Sequence, residues 1–100
     1  MTTEFCEICI TMPLFPREHR GGARDCAHKI HEEAAEAMVE ACAWAETGGG
    51  REVMLDELAD VFQALANFVY AFQVTGEELS DAVVRCVERN HARGRYDVDE

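Results

Sequence analysis

Apolar residues recur at helical spacing through most of the chain. From about Arg24, the positions Ile30, Ala34, Ala37, Met38, Ala41 and Trp44 form one stripe, with Asp25 as an N-cap or first-turn acid. Thr47-Gly48-Gly49-Gly50 ends that helix. A second helix from about Arg51 carries Met54, Leu58, Val61, Phe62, Leu65, Phe68, Val69 and Phe72. These are apolar over more than one face, so this helix is expected to be buried on several sides. Thr75-Gly76 breaks it and opens a third helix, whose early acids Glu77 and Glu78 suit an N-terminus. Leu79, Ala82, Val83, Cys86 and Val87 make its stripe.

No strand-like alternation and no internal repeat is present, so the fold class is all-α. The short glycine turn predicts an antiparallel helical hairpin, with the third helix added. Residues 1–23 read as an irregular segment: Pro13 and Pro16 interrupt any helix, and Arg20-Gly21-Gly22 is a flexible joint. Residues 24–96 make the helical domain, which closes on a basic stretch from Asn90 to Tyr96, and 97–100 are an acidic tail. A chain of 100 residues buries only about two-thirds of its unfolded surface. A four-helix core completed by a second copy, as a homodimer or homotetramer, would relieve that.

Four carboxylates change the picture from architecture to chemistry. Glu33 and Glu36 are spaced i, i+3 on the first helix, and Glu57 and Asp60 are spaced i, i+3 on the second. With a rise of about 1.5 Å per residue, the two pairs lie at overlapping heights in a hairpin, nearest around Glu36 and Asp60. Acid-rich helix faces are usually solvated surface. Two pairs at matched heights, with Asp60 set among Leu58, Ala59, Val61 and Phe62, instead require compensation. A hard divalent cation supplies it through oxygen ligands. Lys29 lies one turn before Glu33, and Asn67 lies near the stripe through Glu57, Asp60 and Ala64, so a cation and an amide border the acids.

The formal net charge of −11 argues against a nucleic-acid polymer as partner, since phosphate backbones need Lys and Arg. No signal peptide or membrane-length apolar run is visible, so a soluble, cytoplasmic protein is expected. Five cysteines without framework spacing read as reduced thiols. Cys6 and Cys9 with Cys26 and His28 have the ligand types for zinc but lack a second CxxC, so incidental or buried thiols are the default. Cys42 and Cys86 sit at core-like helical positions, and His31 and His91 are expected to be exposed.

Glu32-Glu33-Ala34-Ala35-Glu36, a spacer, and Glu57-Leu58-Ala59-Asp60 resemble the E-E-x-x-E and E-x-x-D signature of the all-α nucleoside triphosphate pyrophosphohydrolases, the MazG-like superfamily. The likeness extends over roughly residues 27–96, through Thr75-Gly76-Glu77-Glu78-Leu79 and Asn90-x-x-Arg93-Gly94-x-Tyr96. It implies Mg²⁺, or Mn²⁺ in its place, bound by Glu33, Glu36, Glu57 and Asp60. Glu32 would assist as an outer ligand, a second-metal ligand or a base orienting water. The implied reaction cleaves a nucleoside triphosphate between the α and β phosphates, giving a monophosphate and pyrophosphate. Lys29, Arg93 and Arg95 are the candidates for phosphate contacts. Asn67 or Trp44 would reach the base or sugar, although Trp44 also suits packing.

Two alternatives stand beside that expectation. Phosphoribosyl-ATP pyrophosphohydrolase of histidine biosynthesis shares the acid pattern, although the tail with Arg93-Gly94 favours the MazG-like side. A non-catalytic helical interaction module would use the same acids for a structural metal or a basic partner.

Overall fold

The computed structural model describes residues 3–98 and is all-helical, with no strand among the described residues. Four helices follow in order: α1 (Arg17–Arg20), α2 (Ala23–Thr47), α3 (Arg51–Ala71) and α4 (Gly76–Ala92). The chain groups into two compact units. One runs from Ile10 to Gln73 and holds α1, α2 and α3; the other joins residues 3–9 to 74–98 and holds α4.

In the first unit, α2 and α3 pack against each other as a helical hairpin. The turn depends on backbone geometry that side chains resist. Gly48 ends α2 in the left-handed region at φ 71°, with its N–H donating to the Trp44 carbonyl at 2.8 Å. Gly50 opens α3 at φ 79°. At the other end of α2, Asp25 Oδ2 accepts the Gly22 N–H at 3.0 Å, which caps the helix start. The Arg20-Gly21-Gly22 joint is therefore a built cap rather than a loose hinge.

The expectation that the second helix is buried on several sides is not met within one chain. In α3 only Ala64 and Asn67 are buried, while Leu55, Leu58, Leu65 and Tyr70 are exposed, as is Phe72 just past its end. A hairpin covers one stripe per helix, and α3 carries more apolar residues than one stripe can hide. Cys42 and Cys86 are exposed too, so neither is a core thiol, whereas His31 and His91 are exposed as expected.

The segment before α2 is ordered by polar anchors. Gln63 Nε2 donates to the Pro13 carbonyl at 2.8 Å, and the Phe15 N–H donates to Asn67 Oδ1 at 3.1 Å. A single helical turn, α1, follows Pro16. Arg20 Nη1 donates to the Phe15 carbonyl at 3.0 Å, and its guanidinium lies 4.8 Å from the Tyr70 ring centroid.

In the second unit, α4 begins with a reciprocal cap. Thr75 Oγ1 accepts the Glu78 N–H at 3.1 Å, and Glu78 Oε1 accepts the Thr75 N–H at 2.9 Å. Leu79, Val83, Val84 and Val87 are exposed along this helix. None of the described helices is long and apolar enough to cross a membrane.

Candidate metal centre

Glu33 and Glu36 lie one turn apart on α2, and Glu57 faces them from α3. Each offers a carboxylate oxygen, and the three atoms lie within 4.8 Å of one another. Like charges so close repel, and burial adds to the cost. Glu33 titrates above the usual carboxylate range, first because it is partly desolvated, then because Glu36 lies beside it; Lys29 opposes the rise and Asp60 adds to it. Glu57 is raised as well, by desolvation and then by Glu36, Asp60 and Glu33.

One atom bears on whether a cation fits. Glu57 Oε2 is buried and has no hydrogen-bond partner. A buried carboxylate oxygen without a donor is costly. A hard cation coordinated by oxygens would supply what this atom lacks, so the donor set suits a divalent ion of the Mg²⁺ type.

Asp60 does not join the cluster of three. The oxygens close on Glu57, and Asp60, one methylene shorter, acts on Glu33 and Glu57 as a neighbouring charge. Glu32 is exposed and its Oε2 lies 3.0 Å from Lys29 Nζ, which also lies 3.7 Å from Glu33 Oε1. These contacts hold the Lys29 ammonium above its ordinary pKa, with the Glu32 hydrogen bond the largest cause.

Beside the acids is an open cavity of about 500 Å³. Lys29, Glu32, Glu33 and Asp60 line it together with Gln63, Asn67, Phe15 and Arg20. Five carboxylates (Glu18, Asp25, Glu32, Glu33 and Asp60) stand against Arg20 and Lys29 in this lining, so an anionic ligand needs an added cation to enter. Asn67 is buried, and its Oδ1 already accepts from Phe15 and, at 3.4 Å, from Gln63. Its first task is to hold the N-terminal segment.

Arg93, Arg95 and Trp44 are not among the residues that line this cavity. Arg93 caps the end of α4 and Arg95 lies in the turn that follows; both belong to the C-terminal unit, whereas the cavity is built wholly from the other. Trp44 is half-buried near the glycine turn, with the Arg51 guanidinium 5.2 Å from its ring centroid, a packing role. Of the zinc candidates, Cys6 and Cys9 are exposed, while Cys26 is buried and its thiol donates to the Arg20 carbonyl at 3.7 Å.

Sequence reasoning left Phe15, His19, Arg20 and Gln63 without a role, yet all four line the cavity. Gln63 was within reach of the pattern, since it lies three residues after Asp60 and four before Asn67 on one side of the helix. The others come from a segment whose path local periodicity does not encode. No family model, curated protein or solved structure matches the chain.

Proposed function

We propose that the hairpin is a Mg²⁺-dependent nucleotide pyrophosphohydrolase site of the MazG-like kind, cleaving a nucleoside triphosphate between its α and β phosphates. The observation that carries this reading is the convergence of Glu33, Glu36 and Glu57, with the Glu57 Oε2 orphan, where Glu33 also lines a cavity of nucleotide size. Glu33, Glu36 and Glu57 hold the ion, and Asp60 completes the set through its charge or a bound water. When bound, the cation neutralises phosphate charge and makes water a better nucleophile. Lys29 contacts the phosphates, steadied by Glu32 and Glu33. Glu32, solvent-exposed and next to Lys29, orients the attacking water. The exposed Met38, Val39, Leu55 and Leu58 of the hairpin favour a second copy packing there to form a four-helix core. Sedimentation should show a dimer or tetramer, and a monomer at every concentration would remove that part.

The test is pyrophosphate release from a panel of NTPs, dNTPs and phosphoribosyl-ATP, with and without Mg²⁺. Release from at least one (d)NTP, only with the metal, is expected. Release from phosphoribosyl-ATP alone would move the assignment to histidine synthesis. Release from none, by a folded protein, would favour an interaction module.

A further inference from the structure

Resting on the reading of the hairpin as a nucleotide site, we infer that residues 13–20 form a strap that supplies its base-binding wall, with Phe15 as the stacking platform. Phe15 is the only Phe, Tyr or Trp among the cavity's lining residues, and it remains 44% exposed. An aromatic ring left this open in a polar cavity has surface to give to a planar ligand, because every base has a face to stack on.

The strap is fixed where such a platform needs rigidity. Gln63 grips the Pro13 carbonyl and Asn67 takes the Phe15 N–H, so both flanks of Leu14 are tied to α3. Arg20 closes the far side by donating to the Phe15 carbonyl, and Cys26 donates in turn to the Arg20 carbonyl. Four hydrogen bonds thus hold a segment that buries almost nothing of its own. A segment anchored by polar groups yet not packed into a core is shaped for a ligand.

Spacing agrees. Gln63 and Asn67, which carry the strap, follow Glu57 by six and ten residues on α3, so the strap's anchors lie about 9 to 15 Å along the helix from the three-glutamate cluster. An extended nucleotide spans a comparable distance from its phosphates to its base. Arg20 also lines the cavity and brings a cation to it.

Calorimetric binding of two probes with Mg²⁺ tests the strap: an α,β-methylene nucleoside triphosphate, which has a base, and tripolyphosphate, which has none. Phe15→Ala should weaken the nucleotide analogue by about 5- to 150-fold, the scale of one base–aromatic stack, and leave tripolyphosphate unchanged. Phe15→Trp should restore the nucleotide affinity. Unchanged nucleotide binding in Phe15→Ala, equal weakening of both probes, or no binding of the analogue by wild type would overturn the strap. Pyrophosphate release separates the two ideas. Base-dependent binding without turnover would sink the catalytic reading and spare the strap, whereas full turnover with Phe15→Ala indifferent would do the reverse.

Discussion

Glu36 on α2 and Glu57 on α3 bring carboxylate oxygens within 4.8 Å of each other across the hairpin, and Glu36 raises the cost of charging Glu57. This opposition is what a bound cation would relieve. Glu36→Gln or Glu57→Gln should leave helicity intact and lower turnover by more than the roughly 10- to 100-fold that loss of a supporting partner costs a metal site. The metal-free variants should melt no lower than wild type, because one of the repelling charges is gone. Circular dichroism with pyrophosphate release checks both; retained activity would remove these residues as ligands.

Acidity supplies a second check. Glu33 and Glu57 have folded pKa values above the ordinary carboxylate value, so the folded metal-free chain holds their protons more tightly than the unfolded chain does. The stability this contributes is full below the unfolded pKa and is lost as pH rises through the raised folded values. The metal-free melting temperature should therefore fall as pH rises above the ordinary carboxylate value of 4.5. That slope should be shallower in Glu57→Gln. Glu78 runs the other way: the Thr75 backbone N–H, then its hydroxyl, keep it ionised, so its contribution is lost only at more acid pH.

Lys29 is an exposed cation between Glu32 and Glu33. Lys29→Met should barely move the melting temperature, since exposed ion pairs contribute little. If Lys29 meets phosphate, the KM for the nucleotide should rise by about tenfold or more, the scale of a charge-assisted hydrogen bond. Steady-state kinetics would show it, and an unchanged KM would place Lys29 outside the phosphate site.

Gly21 joins the strap to α2 at φ 78°, and a Cβ there would lie 2.5 Å from Asp25 Oδ2. Gly21→Ala should destabilise the protein by about 1–3 kcal/mol, the cost of holding a side chain in such a backbone region. Urea unfolding measures this. A neutral result would mean that the cap between Gly22 and Asp25 can rearrange freely.

Helix content and the glycine turn were legible because each rests on local signals: apolar spacing, Thr75 with Glu78, and three consecutive glycines. The acid pairing was legible in part. Rise per residue put the pairs at one height, but the oxygens close on Glu57 while Asp60 acts as a neighbouring charge. The cavity wall was not legible, because Pro13 and Phe15 reach Gln63 and Asn67 across about fifty residues. Hydrogen bonds over such a separation leave no periodic trace. Nor does spacing tell whether Leu58 or Cys42 is covered, since the pattern marks a face as apolar without saying what lies against it.

Titration of the metal-free protein with Mn²⁺, followed by electron paramagnetic resonance and displaced by Mg²⁺, asks directly whether the three glutamates form a cation site. A bound ion in wild type that is lost in Glu36→Gln and in Glu57→Gln is the expected result. Wild type that leaves Mn²⁺ free in solution, or variants that bind it as well as wild type, would contradict the metal centre and the chemistry proposed from it.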